Sequence, residues 1–177
     1  MTESKAAHEP AHKLTAQKLT AHEPTTHELD APPWLRVETT LMNTARAMRE
    51  AYDSRFAPLG LNLTQASLIA YLQQFGPITQ TKCADHLRLG RANIGAAIDR
   101  LQERQLVERH PDAVDRRVWQ VALSAHGHEI AAKVLAIDEV LRAEMRDGIT
   151  RAERQALASV MTRLQANLVR ASASTPA

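Results

Sequence analysis

The segment from Arg88 to Arg117 concentrates side chains that could bind a nucleic acid. It holds seven arginines and five acidic residues, and it has no lysine. Guanidinium groups suit bidentate hydrogen bonds to phosphate and to guanine, which fits this all-arginine usage. A mixed, solvated surface is the commoner interpretation of such a stretch, so the charge pattern alone leaves both alternatives open. The arginines are Arg88, Arg91, Arg100, Arg104, Arg109, Arg116 and Arg117.

Eight histidines invite a search for metal or catalytic chemistry. Four lie near the N-terminus, at His8, His12, His22 and His27. They could hold a transition metal, but they lack the tight pairing of a zinc finger and have no partnering cysteine, which favours a solvated tail. The other four are His86, His110, His126 and His128. No nucleophile, carboxylate pair or glycine-rich loop accompanies them at a recognised spacing, so we expect no enzyme, no metal site and no cofactor.

The amino-acid composition limits the fold classes that the chain can adopt. A chain of 177 residues with 44% hydrophobic residues can form one domain with a substantial core, and an aromatic content of 3% favours helices over a large β-sandwich. Charges interrupt every apolar run before the length that a membrane helix needs, and Glu3, His8 and Glu9 stand where a signal peptide would be apolar. We therefore expect no membrane association and a cytoplasmic location, which a single cysteine, Cys83, also fits.

Both ends of the chain are predicted to lie outside the folded part. Residues 1–30 repeat Ala-His-Glu-Pro at 7–10 and 21–24, and Lys-Leu-Thr-Ala at 13–16 and 18–21. Such low-complexity sequence without aromatics cannot bury enough apolar surface to offset its ordering entropy. We predict a disordered, histidine-containing tail over 1–30 and a frayed end over 171–177.

Apolar residues at helical spacing predict six helices between these ends. The first covers about 34–57, the second starts at a Thr64 cap and ends at Gly76-Pro77, and the third runs from a Thr79 cap to Leu87. The fourth covers about 90–104, with Ile94, Ala97, Ile98, Leu101 and Gln105 on its core side. The fifth runs from Ser124 to Gly148, and Thr150 with Glu153 forms a capping box for the sixth.

A β-hairpin interrupts the helices. Residues 106–110 and 116–123 are predicted strands around a polar loop at 111–115, and Trp119 alternates with Val121 and Leu123 as a packing residue. Helix, turn, helix and hairpin over 79–123 is the order of a winged helix-turn-helix, whose second helix fits the major groove of DNA. That helix is small on its outward N-terminal side, so Arg91 and Asn93 could reach base edges or phosphates. An ordinary amphipathic helix is an equally good interpretation of this helix alone.

Several segments together resemble the MarR family of regulators. They are residues 63–72 (LTQASLIAYL), 83–87 (CADHL), 91–101 (RANIGAAIDRL), 106–109 (LVER) and 115–124 (DRRVWQVALS) followed by Gly127. The resemblance covers about residues 34–170, and the wing motif Asp-x-Arg before a strand that ends in Leu-Ser is its specific part. The recognition helix departs from the family pattern, because Gly90, Ala92, Asn93 and Gly95 replace a usual run of Ser and Thr. Gln105 stands where a glycine is usual.

The resemblance implies a mainly α fold with a small β-hairpin wing. The winged helix-turn-helix would cover residues 63–123, and residues 31–62 and 124–170 would form a helical dimerisation region. It implies a homodimer that represses transcription from a palindromic operator in double-stranded DNA and is released by a small aromatic or anionic effector. Arg117 would enter the minor groove, with Asp115 orienting it. The candidate DNA-binding residues are Arg91, Asn93, Arg100, Asp115, Arg116 and Arg117.

Weaker sequence signals support the remaining functional assignments, which concern the effector contacts and Cys83. Arg46, Arg49, Tyr52 and Phe75 are candidate effector contacts, with Arg55 beside them, although packing or solvation explains each equally well. Cys83 takes the place of a buried leucine, so we expect a small core residue and no redox sensor. Two alternatives to an effector-responsive repressor stay open: a metal-responsive regulator that uses the histidine tail, and an interaction module that shares the fold without binding DNA.

Overall fold

The computed structural model describes residues 36–112 and 114–173. The chain divides into two units, residues 1–44 and 45–177. Of the first, the described part is residues 36–44, which begin helix α1. The helices are α1 (Val37–Phe56), α2 (Leu63–Phe75), α3 (Gln80–Leu87), α4 (Arg91–Glu103), α5 (Ala125–Met145) and α6 (Arg151–Ala173), and the strands are β1 (Ile78–Thr79), β2 (Val107–Pro111) and β3 (Trp119–Leu123). This is the predicted fold class, a mainly helical chain with a small β wing.

Local signals set most of the helix ends. Thr79 accepts a hydrogen bond from the Lys82 N–H and caps α3, as predicted, and Thr150 and Glu153 form the predicted capping box at the start of α6. The predicted cap of α2 was wrong. Asn62 replaces Thr64, because its side chain accepts from the Gln65 N–H while the Gln65 side chain accepts from the Asn62 N–H. The capping box thus starts α2 two residues earlier than expected.

The core lies between α2, α4, α5 and the sheet. Ile94, Ala97, Ile98 and Leu101 are buried on one side of α4, as their spacing predicted. Gln105 was predicted to join them but is exposed, because the helix ends at Glu103 and Gln105 turns the chain with a φ of +55°. This left-handed conformation explains why glycine is usual at this position in the family that the sequence resembles.

Strand β3 is the centre of a three-stranded antiparallel sheet in the order β1-β3-β2. The short β1, which the sequence analysis missed, pairs Ile78 with Val121 and Thr79 with Gln120. The returning strand begins at Trp119, not at Arg116 as predicted, because residues 116–118 belong to the turn. Among the described helices, none is both long and apolar enough to cross a membrane.

Candidate nucleic-acid interface

Helix α4 presents a small, polar surface opposite its buried side. It packs against α2, α3 and β2, while Arg91, Ala92, Asn93 and Ala96 are exposed. Gly90, the residue before the helix, has no side chain to accept from the first N–H groups, so these donors point outward without a side-chain partner. Any partner that approaches this end of α4 meets free backbone N–H groups, an amide and a guanidinium.

The seven arginines between Arg88 and Arg117 fall into two groups. Arg104 donates to the carbonyl oxygens of Gly60 and Leu59 at 2.6 and 2.8 Å, and Arg109 pairs with Asp99 at 2.6 Å and also donates to Gln102. These two side chains stabilise the fold. Among the described residues the other five form no side-chain hydrogen bond or ion pair, and all five are exposed. They are Arg88, Arg91, Arg100, Arg116 and Arg117.

Arg100 and Asn93 belong to the same side of α4. Seven residues separate them, which is close to two helical turns, so Arg100 follows Asn93 at roughly 10 Å along the axis. Arg100 also lines a shallow depression with Gly60, Asn62 and Glu103, beside the turn that precedes α2. The helix therefore presents Arg91 and Asn93 at its start and Arg100 towards its end.

Two aspartates order the turn of the wing. The Asp112 carboxylate accepts from the Asp115 and Val114 N–H groups at 3.0 and 2.8 Å and from the Gln120 amide. These donors, the Asp115 N–H foremost, hold the pKa of Asp112 below its ordinary value. Asp115 in turn accepts from the backbone N–H of Arg117 at 3.0 Å.

The role predicted for Asp115 therefore needs correction. We expected its side chain to orient the Arg117 guanidinium from the same strand face, but both residues precede β3, and the Asp115 carboxylate binds the Arg117 backbone. Asp115 thus fixes the turn that presents Arg116 and Arg117. Asp112, which the sequence analysis did not single out, organises the same turn. Its place in a loop of turn-forming residues was the signal available.

The base of the wing is anchored to α5. The Ser124 hydroxyl donates to the Gln105 carbonyl at 2.6 Å and accepts from the Gly127 N–H at 3.0 Å, while the Ser124 N–H donates to the Leu106 carbonyl at 3.1 Å. A β-carbon on Gly127 would lie 2.0 Å from that Leu106 oxygen. Only glycine permits this approach, so the Ser124 to Gly127 segment fixes where the hairpin leaves the core.

A cavity of about 670 Å³ lies among the C-terminal part of α1, α2 and α5. Its wall is largely apolar, with Phe56, Leu63 and Val134 contributing. At one side the Tyr52 hydroxyl donates to Asp138 at 3.0 Å, and Asp138 also pairs with Arg142. Burial, followed by the bond to Asp138, raises the pKa of Tyr52, so the phenol stays protonated at neutral pH.

The predicted effector contacts agree only in part with this cavity. Tyr52 lines it, whereas Arg46, Arg49 and Phe75 are exposed and are not among its lining residues. Phe75 instead packs against Tyr71 with the two rings tilted and their centroids 4.6 Å apart. Arg55, named beside them, pairs with Glu144 at 2.6 Å. Sequence reasoning missed Tyr71, Asp138 and Arg142, because nothing in the sequence indicates which residues of separate helices meet.

Comparison with known proteins bears on this arrangement of α4 and the wing. Residues 59–118 match a family model described as the MarR family. Over these residues, the chain is similar to the MarR family. The match covers the helix-turn-helix and most of the wing, including every candidate DNA-binding residue named from the sequence.

Several solved structures share this fold over a longer stretch. Bordetella bronchiseptica BpsR, in a structure on the regulation of its DNA binding by 6-hydroxynicotinic acid, is 18% identical, with 76% of this chain and 96% of that chain covered and a TM-score of 0.69. Staphylococcus aureus MepR in complex with DNA is 19% identical, with 74% and 96% covered and a TM-score of 0.67. A probable transcriptional regulator from Pseudomonas aeruginosa is 25% identical, with 73% and 99% covered and a TM-score of 0.60.

Two further expectations from the sequence concern cysteine and histidine. Cys83 is buried in α3, and burial raises the pKa of its thiol to about 11, so it is a protonated core residue, as predicted. The N-terminal histidines lie outside the described residues. Within residues 36–112 and 114–173, no group of three His, Cys, Asp or Glu side chains could hold a metal ion.

Proposed function

We propose that this chain is a transcription regulator of the MarR family that binds double-stranded DNA through α4 and the wing. The proposal rests on the difference between arginines that bind other parts of the chain and arginines that are exposed and unpaired. In the described structure, Arg104 and Arg109 are used internally, whereas five others stand exposed without a partner on α4, the turn before it and the wing. Unpaired guanidinium groups around a protruding helix suit a polyanion with a groove wide enough for that helix.

Helix α4 is the part that would read sequence. Its exposed Ala92 and Ala96 let the backbone come close to the floor of the major groove, and Asn93 between them can pair bidentately with adenine. Arg91 and Arg100 flank this amide along the helix and could contact guanine or phosphate. Within the protein, the missing side chain of Gly95 leaves room for Gln80 of α3, because a β-carbon at Gly95 would lie 3.0 Å from the Gln80 amide nitrogen.

The wing is the part that would follow DNA shape. Asp115 and Asp112 hold its turn through backbone N–H groups, which leaves the Arg116 and Arg117 side chains unpaired and directed by a fixed turn. A guanidinium that enters a narrow minor groove responds to the potential and width of the groove, with little information on base identity. Arg117 would therefore add affinity on many sequences, whereas Asn93 would select among them.

A second copy of the chain completes the regulator. No residue of α6 is buried, and its exposed side includes Leu157, Val160 and Leu168. A 23-residue helix with an exposed apolar stripe is stable only when another surface covers it. A symmetric dimer would provide that cover and would present two recognition helices, which suits a palindromic operator with half-sites about one helical turn apart.

The cavity beside α5 supports release by a small aromatic or anionic effector. A volume of about 670 Å³ with an apolar wall accepts an aromatic ring system. Arg142 already pairs with Asp138, so a carboxylate or phenolate effector would compete with Asp138 for the guanidinium. Such competition would leave Tyr52 as the remaining partner of Asp138, and α5 carries both Asp138 and the Gly127 anchor of the wing.

The decisive test of DNA binding is the capture of labelled fragments of the source genome by the purified full chain. We expect a small set of fragments that share an inverted repeat and bind far more tightly than random duplex of equal length. A reporter placed downstream of the recovered site should fall in expression when the chain is present, as a repressor requires. Equal binding of all fragments would contradict sequence-specific recognition.

The effector is tested on the recovered site. Phenolic and aromatic carboxylate compounds should release the DNA, and Arg142→Leu should abolish release by carboxylates without changing DNA affinity in their absence. Arg146→Leu is the matched control, because Arg146 follows α5 and does not line the cavity. Release that is equally strong in the Arg142 and Arg146 variants would place the effector elsewhere.

A further inference from the structure

Trp119 is a large aromatic side chain that the fold leaves uncovered. It is 57% exposed at the start of β3, although it was expected to pack. By alternation it shares a face of the strand with Val121, which is buried, so the indole continues the core side of β3 beyond the end of the core. It pairs across the hairpin with Pro111, and its neighbour Val118 is also exposed.

The surroundings of Trp119 connect the wing to the recognition helix. Strand β1 pairs Thr79 with Gln120, so the next register position places Trp119 level with Gln80, the first residue of α3. The Gln80 amide in turn reaches the surface of α4 at Gly95. The indole therefore lies along a continuous surface that runs from α4 across the start of α3 to the wing turn.

That surface is positively charged at both ends. Arg116 and Arg117 lie three and two residues before Trp119, and Arg91 lies on α4; among the described residues none of the three has a side-chain partner. An apolar ring between unpaired guanidinium groups matches a partner that alternates charge with apolar surface. The backbone of duplex DNA does so, because each phosphate is followed by a deoxyribose whose C–H groups form the walls of the grooves.

We propose that Trp119 is a DNA contact of the wing, with the indole lying against the deoxyribose walls next to the groove that Arg117 enters. This inference rests on the proposed function and adds to it an apolar, sequence-independent contact. Burial of the indole adds affinity without releasing counterions, so its energetic signature differs from that of an arginine. The same signature separates it from Asn93, which would discriminate between sequences.

The first test compares affinities of the full-length chain for the recovered operator and for random duplex at several salt concentrations. Trp119→Ala should weaken binding about tenfold on both DNAs and leave the salt dependence unchanged. Trp119→Phe should recover part of the loss. Phe75→Ala is the matched control, because Phe75 is an aromatic residue of similar exposure, at 60%, that belongs to α2 and not to α4 or the wing. Unchanged affinity of Trp119→Ala would overturn the inference.

The second test observes the indole directly. The chain has two tryptophans, so Trp34→Phe leaves Trp119 as the only one. Saturating duplex should then protect its fluorescence from acrylamide quenching. Undiminished quenching in the bound complex would overturn the inference while leaving DNA binding intact, whereas a chain that binds no duplex would contradict the proposed function itself. If Trp119→Ala dissociates the subunits, the indole is a contact between copies and the inference is wrong.

Discussion

The winged-helix region and helix α6 differ in what each needs in order to be stable. Every buried residue among those described lies between Phe56 and Leu141, and α6 contributes none. The region that would read DNA thus carries its own core, whereas α6 exposes Leu157, Val160 and Leu168. If the proposed function is correct, mutations in the first region should act on folding or on DNA binding, and mutations in α6 should act on assembly.

The largest effect is expected at the anchor of the wing. Gly127→Ala would place a methyl group on the Leu106 carbonyl oxygen. Because this oxygen belongs to the backbone, it cannot move aside as a flexible side chain could, so the free energy of unfolding should fall by about 3 kcal/mol or more. Chemical denaturation measures this loss. Gly148→Ala is the control: its φ of +71° makes alanine unfavourable, but its Cβ would meet open space, so we expect about 1 kcal/mol. Equal losses for both variants would show that the close approach at Gly127 is not limiting.

The next effect separates assembly from folding. Charges at Leu157 and Val160, introduced as a Leu157→Glu and Val160→Glu double variant, should convert a dimer into a monomer at micromolar concentration, because a partner helix could no longer cover the stripe. Sedimentation velocity reports the mass. Most of the helical circular dichroism signal of the chain should persist, because the core of the winged-helix region does not use α6. A wild-type chain that is monomeric under these conditions would contradict the proposed dimer.

The smallest effect concerns pH and the order of the wing. The pKa of Asp112 is lower in the folded chain than its ordinary value of 3.8, so its contribution is complete above that value and is lost as pH falls through the lowered folded value. Amide exchange at Val114 and Asp115 should therefore be slow relative to an open loop near pH 6 and should lose this protection only below about pH 4. Asp112→Asn removes the titration and should show protection that does not vary over this pH range.

The parts of this fold that periodicity controls could be predicted from the sequence. The buried side of α4 and the stripe of α5 follow from apolar residues at helical spacing, and Thr79 and Ser124 cap their helices as their types suggest. Asn62 and Thr64 are both good caps, and only the reciprocal bond with Gln65 decides between them. Asn62 and Gln65 are only three positions apart, so the Asn-x-x-Gln spacing was a local signal that the choice of Thr64 overlooked.

The candidate sites could also be predicted only in part from the sequence. The unpaired state of Arg117 and the engaged state of Arg109 could not be told apart in sequence, because Asp99 lies ten residues away on another element. The exposure of Trp119 was missed because alternation predicts the face of a strand but not where the core ends. The cavity depends on Tyr52 in α1 meeting Asp138 in α5, a contact between residues 86 positions apart.

A variant of Asn93 tests the roles that are proposed for residues of α4 and the wing. Asn93→Ala should cost roughly 1–3 kcal/mol on the best operator and leave the affinity for random duplex nearly unchanged, because only a base contact is lost. Both Asn93 and Arg117 are exposed, so folding should survive their replacement. Equal losses on both DNAs would identify Asn93 as a backbone contact and move specificity to Arg91, Arg100 or DNA shape.

The most direct test of the DNA-binding surface is the salt dependence of duplex binding for two arginine variants of the wing hairpin. Arg117→Ala should weaken binding to operator and random duplex alike and make the slope of log affinity against log salt shallower by about one, because one phosphate neutralisation is lost. Arg109→Ala, which breaks the pair with Asp99, should leave that slope unchanged. Equal slopes for the wild type and Arg117→Ala would contradict the assignment of the unpaired arginines to DNA.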